Sequence, residues 1–167
     1  MWRWMPIVLT LLLASTALAE DTKTPAWDME QAAASTPIGD AGLRYVIEHP
    51  GTGEVLTLGH VAVVNYSGWL PDGTPFDSNT NPTFEHVEPF ETNIPGRVIR
   101  GWNEGLVGMQ VGETRRLFIP AVWAYGATRR SPEIGPDQDL VFSVELLAIK
   151  PVVPWTDEDD EQAVAGE

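Results

Sequence analysis

Val98-Ile99-Arg100-Gly101-Trp102-Asn103-Glu104-Gly105-Leu106-Val107-Gly108 interrupts a chain that otherwise alternates. Val98, Ile99, Trp102 and Leu106 recur at helical spacing, and Gly108 is a natural stop, so the stretch predicts one short helix. On either side the period is two. Leu43, Tyr45 and Ile47 alternate with Arg44, Val46 and Glu48. His60 to Leu70 is rich in β-branched and aromatic residues, and Pro71-Asp72-Gly73 supplies the fixed and free φ of a hairpin turn before Thr74 to Ser78 returns. Thr114 to Pro120 and Asp139 to Lys150 read as further strands, the second with Leu140, Phe142, Val144 and Leu146 on one face. The expected class is α+β, an antiparallel sheet of five to six strands covered by one helix that carries a Trp.

The 167 residues, 43% of them hydrophobic, suit one domain with appendages. Met1 to Ala19 reads as a secretory leader: Arg3 is the positive end, Ile7 to Leu18 a short apolar run, and Ala17-Leu18-Ala19 a small-x-small site with the cut before Glu20. The run is shorter than the ~20 residues of a spanning helix, so stable membrane insertion is not expected after cleavage. Residues 20–40 read as a flexible linker, 41–150 as the domain, and 151–167 as a tail. In the tail Pro151 and Pro154 precede the like-charged run Asp157-Glu158-Asp159-Asp160-Glu161, which repels itself and favours disorder. A leader implies export. The periplasm is the expected compartment, with secretion or the endoplasmic reticulum lumen as alternatives.

A formal charge of −14 repels phosphate backbones, which argues against a nucleic-acid partner. The chain has no cysteine, which excludes disulfides, thiolate metal sites and a cysteine nucleophile. Ser67, Ser78 and Ser143 lie in no nucleophile elbow. His49, His60 and His86 have no metal-ligand spacing and read as surface or turn residues. What stands out is aromatic density beside Gly-rich turns: Tyr66, Phe76, Phe90, Trp102, Tyr125 and Phe142. Taken singly, each is a core residue of a small β domain.

Their order gives a stronger reading. Val63-Val64-Asn65-Tyr66-Ser67-Gly68, Asp72-Gly73, Phe76-Asp77-Ser78, the helix stretch above, Met109-Gln110-Val111-Gly112-Glu113, Ala124-Tyr125-Gly126-Ala127-Thr128 and Leu140 to Leu147 follow one another along residues 41–150. Together they resemble the FKBP family of peptidyl-prolyl cis–trans isomerases, and several ordered motifs are far more specific than one. The resemblance implies a strongly bent sheet wrapped around the helix, with a pocket between the helix and the concave face. It implies Asp77, Tyr125, Phe76 and Trp102 as catalytic residues. It implies Tyr66, Phe90, Val98, Ile99, Ile134 and Phe142 as substrate-binding residues, with Phe84 the alternative to Phe90. Arg129, Arg130 and Glu133 stand where the family often has small, His or apolar residues.

Such a pocket needs no metal and no organic cofactor. Its implied partners are unfolded or nascent proline-containing polypeptides and, as inhibitors, macrolides; a monomer is expected. Trp102 would underlie the proline ring, while the Ile99 N–H and Tyr125 hydroxyl would donate to substrate carbonyls. Asp77 would either orient Tyr66 or oppose the dipole of the twisted carbonyl. Two rivals are a non-catalytic chaperone or peptide-binding module on the same fold, and a sugar-binding β module. The second is disfavoured because Trp102 lies on the apolar face of the helix, not on an exposed platform.

Overall fold

A computed structural model of the chain describes Ala32, Ala34 and residues 35–152. The leader, most of the linker and the acidic tail lie outside these residues. The strands are β1 (Thr36–Ile38), β2 (Leu43–His49), β3 (His60–Trp69), β4 (Pro75–Ser78), β5 (Phe90–Ile94), β6 (Thr114–Ile119) and β7 (Leu140–Pro151). The helix α1 (Arg100–Gly105) falls between β5 and β6, and a 3-10 turn (Ala121–Trp123) follows β6.

All seven strands of the described residues form one antiparallel sheet in the order β1-β2-β6-β7-β3-β4, with β5 also pairing β3. The sheet therefore exceeds the expected five to six strands, and β1 and β5 are the elements the sequence did not disclose. β3 is the axis. One edge lies along β7 from His60↔Pro151 to Trp69↔Val141. The other edge is shared: β5 pairs with His60–Val64, and β4 pairs with Ser67–Trp69. Register slips at Val63/Val64, Gly68/Trp69 and Ile47/His49 mark irregularities of the kind that bend strands and give a sheet a concave side.

The alternation places the core where periodicity expects it. Ala62, Val64 and Tyr66 of β3, Leu117 and Ile119 of β6, and Leu140, Phe142, Val144 and Leu146 of β7 pack with Trp102 and Leu106. The helix lies close to β6 because it carries glycine at the contact. A Cβ on Gly101 would come within 2.5 Å of Ile119, and one on Gly105 within 2.8 Å of Leu117. Glycine in a helix costs roughly 0.5–1 kcal/mol, and here the close approach of helix to sheet requires it.

A buried ion pair fixes the end of α1. Arg115 Nε donates to Glu113 Oε1 at 2.7 Å, and both side chains are almost fully buried. Arg115 Nη1 donates to the carbonyl oxygens of Gly105 and Val107, at 2.8 and 3.3 Å, which α1 itself leaves open. Glu113 Oε2 accepts from the Gln110 N–H at 3.1 Å, and the guanidinium stacks on Tyr45 at 4.3 Å. This pair holds the helix, and hence Trp102, at a fixed height above β6.

The sheet begins at Thr36, inside the stretch read from sequence as linker. β1 pairs with β2 from Thr36↔Tyr45 to Ile38↔Leu43, and Arg44 donates to Ala32 O at 2.8 Å and Ser35 O at 2.6 Å. Ala32 is buried against Phe118 and Val141 on the second face of the sheet. Among the described residues no helix is long and apolar enough to cross a membrane.

Candidate active site

Strands β3, β4, β5 and β7, helix α1 and the β5–α1 and β6–β7 loops together line an open cavity of about 570 Å³. Its base is Trp102, only 4% exposed. Tyr66, Phe90 and Phe142 stand edge-on to the indole, with ring centroids 5.3, 6.0 and 5.3 Å away and interplanar angles of 82, 75 and 83°. Edge-to-face pairs at these distances add about 0.5–1.5 kcal/mol each beyond area burial. The three rings form an aromatic box around the indole. Among the described residues the indole N–H has no hydrogen-bond partner.

Local structure explains how the walls are held. Val98 and Ile99 precede α1, and Ile99 is its N-cap in extended conformation. The helix is therefore shorter than the 98–106 span the periodicity suggested. Asn103 reaches back to bind this segment: its Oδ1 accepts from the Gly96 N–H at 2.8 Å, and its Nδ2 donates to Gly96 O and Val98 O at 3.3 and 3.4 Å. The Ile99 carbonyl accepts from Trp102 and Asn103, while its own N–H makes no backbone bond among the described residues. On the opposite side buried Asn79 accepts from the Tyr66 N–H at 2.7 Å and donates to Val64 O and Glu88 O at 3.1 and 3.0 Å. It thereby ties β3 to the β4–β5 loop.

The main polar feature of the site joins β3, β4 and that loop. The Tyr66 hydroxyl donates to Asp77 Oδ2 at 2.9 Å, and His86 Nε2 lies 2.8 Å from Asp77 Oδ1 and 3.3 Å from the Tyr66 hydroxyl. Burial, then the hydrogen bond and negative charge of Asp77, push the Tyr66 phenol well above its ordinary range. Tyr66 is thus held as a neutral donor, and both carboxylate oxygens of Asp77 are engaged.

Of the residues singled out from sequence, Tyr66, Asp77, Phe90, Val98, Ile99, Trp102, Tyr125 and Phe142 line the cavity together. Phe76 and Ile134 are not among the lining residues. The Phe76 ring stands edge-on to Phe142 at 5.4 Å. Ile134 is 4% exposed in the core, and its carbonyl accepts from the Arg130 N–H at 3.0 Å, bracing the β6–β7 loop. Phe90, not Phe84, contributes the further aromatic wall. Arg97, Arg100, Ala124 and Arg130 also line the cavity. His86, read from sequence as a surface or turn residue, is exposed in the β4–β5 loop and contacts the cavity residue Asp77. Its position nine residues beyond its partner in a loop gives no periodic signal.

Comparison with known proteins gives a consistent result. The family described as FKBP-type peptidyl-prolyl cis-trans isomerase matches residues 53–147. Peptidyl-prolyl cis-trans isomerase FKBP15-2 of Arabidopsis thaliana is 44% identical over 109 residues, which are 62% of this chain and 64% of that protein. The FK506-binding protein of Neisseria meningitidis serogroup C is 40% identical over 98 residues, 58% of this chain and 86% of that one. Among solved structures, FkpA from Escherichia coli superposes with a TM-score of 0.63 at 35% identity, covering 75% of this chain and 58% of that one. A peptidyl-prolyl isomerase from Pseudomonas syringae gives 0.61 at 31%, covering 73% and 90%. The chain spans 64% of the length of the Arabidopsis relative and 27% of the rat relative FKBP4.

Proposed function

The chain belongs to the FKBP family, and on that premise we propose that it accelerates cis–trans isomerisation of X–Pro bonds in exported polypeptides. The observation that carries this reading is the box of aromatic rings over Trp102 at the base of the cavity. Rotation about X–Pro loses amide resonance, a barrier of ~18–20 kcal/mol, and unaided takes roughly tens to hundreds of seconds. The twisted amide is less delocalised and less polar than either planar form. An apolar pocket that strips water therefore favours the twisted state over both ends, which is differential binding with no covalent step.

Each residue has a part in this scheme. Trp102 bears the proline ring, with Tyr66, Phe90, Phe142 and Val98 as walls. The Ile99 N–H and the Tyr125 hydroxyl donate to flanking carbonyls and fix the peptide's direction. Asp77 acts through Tyr66: its engaged oxygens favour the orienting role over direct opposition to the carbonyl dipole. Phe76 packs edge-on against Phe142. The same cavity is the proposed seat of macrolide inhibitors, and the leader-like residues 1–19 support export, with the periplasm as destination. The test is the cis-to-trans rate of a short Leu-Pro peptide with and without the full chain. Acceleration at substoichiometric protein is expected; an unchanged rate with folded protein overturns the proposal.

A further inference from the structure

We propose that the rim of this cavity selects prolyl bonds flanked by acidic side chains. The inference rests on the isomerase reading and adds a substrate class to it. The chain carries 10 basic and 24 acidic residues, yet Arg97, Arg100 and Arg130 all line this one cavity. Among the described residues Asp77 is the only carboxylate residue lining it, and that group is already engaged by Tyr66 and His86.

The other described cations are occupied elsewhere. Arg115 is paired with Glu113, Arg116 with Glu48 and Lys150 with Glu91. Arg44 binds the carbonyls of Ala32 and Ser35, and Arg129 binds those of Ser131 and Pro132. Arg97, Arg100 and Arg130 form no ion pair among the described residues. Two of them are nevertheless oriented. The Arg100 guanidinium lies 4.4 Å from the Trp123 ring centroid, and that of Arg130 lies 5.6 Å from Tyr125. Stacking uses the guanidinium face and leaves its edge donors free for a planar anion such as a carboxylate.

The three also converge from different elements. Arg97 and Arg100 bracket Val98 and Ile99 at the start of α1, whereas Arg130 comes from the β6–β7 loop beside Tyr125. A peptide with proline on Trp102 has its neighbouring side chains at this rim. The chain's overall negative charge opposes an acidic peptide at long range, and salt decides between the two effects. At 0.1 M ionic strength exposed charges interact over about 10 Å, so remote carboxylates are screened while contacts at the rim persist.

The experiment compares otherwise identical peptides carrying Glu, Gln or Lys next to proline, on either side, with the full chain at about 0.15 M salt. Exposed ion pairs are individually weak, so kcat/KM for Glu should exceed that for its isostere Gln by about twofold to fivefold, with Lys lowest. The triple variant Arg97→Gln, Arg100→Gln, Arg130→Gln should bring the Glu-to-Gln ratio near one, and ~1 M salt should do the same to the unaltered chain. Equal turnover of Glu and Gln peptides overturns the rim inference and leaves the isomerase reading standing. A Glu preference that survives in the triple variant also overturns it. No turnover of any peptide by folded protein removes the isomerase reading and the rim inference together.

Discussion

Replacing Asp77 by Asn tests whether the Tyr66–Asp77–His86 group serves the cavity or only the fold. Asn is nearly isosteric, keeps one acceptor oxygen and deletes the charge. Hydrogen bonds to charged groups are worth ~1.5–3 kcal/mol and neutral ones ~0.5–1.5 kcal/mol, so each contact weakens by about 1 kcal/mol. The His86 contact is discounted, because its side chains are 56% and 37% exposed and solvent screens them. The 2.9 Å bond from buried Tyr66 dominates, and the expected loss is about 1 kcal/mol, a fall in Tm of about 4–8 °C. Catalysis should suffer more, since a wall aromatic loses its anchor: kcat/KM should fall about tenfold, or ~1.4 kcal/mol of transition-state binding. A second readout is the Tyr66 phenol. Its titration should move down on losing Asp77 yet stay above 10.0, because burial is the larger cause of its shift. Thermal melting, peptide isomerisation and phenolate absorbance, the last assigned with Tyr66→Phe, give all three numbers. A Tm that falls as calculated with full activity per folded molecule would refute the assignment of Asp77 to the site.

Other outcomes follow from the same geometry. His86→Ala should cost no more than ~1 kcal/mol of stability, being half exposed, while lowering kcat/KM severalfold through Asp77; equal activity would show that His86 does not serve the cavity. Glu113→Gln leaves Arg115 charged and buried without its partner, so chemical denaturation should show a loss of about 3–5 kcal/mol. A raised Tyr66 phenol means that above pH 10.0 the unfolded chain loses this proton first, so stability should fall as pH rises through that value. The Tyr66→Phe chain should lose this contribution, and an identical alkaline slope in both would contradict the burial argument.

Much of this was legible because one face of the sheet is buried. Period-two alternation located β2 and β7, β-branched and aromatic richness located β3, and helical spacing located α1 around Trp102. β5 was opaque because Phe90-Glu91-Thr92-Asn93-Ile94 is half polar, and Phe90, 38% exposed, points toward the cavity instead of the core. β1 was opaque for another reason: it has three residues including a proline, and its anchors are Arg44 and β2 rather than its own pattern. Ordered motifs located most of the cavity, yet alternation reports a face and not a depth. Phe76 and Ile134 therefore read like lining residues, while Phe76 packs edge-on against Phe142 and Ile134 is buried in the core from within the β6–β7 loop. His86 and the arginine rim depend on how loops close in space, which no periodicity encodes.

The central claim, that the Trp102 cavity holds and turns prolyl bonds, meets its most direct test in one NMR experiment on the full chain. A Leu-Pro peptide in excess is followed by magnetisation exchange between its cis and trans signals, while the Trp102 indole N–H, assigned by comparison with Trp102→Phe, is observed in the same sample. The account predicts exchange peaks far faster than the roughly tens of seconds of the free peptide, together with a shift of the Trp102 resonance on titration. A peptide whose signals exchange no faster than alone, beside a folded protein with an unmoved Trp102 signal, would contradict it.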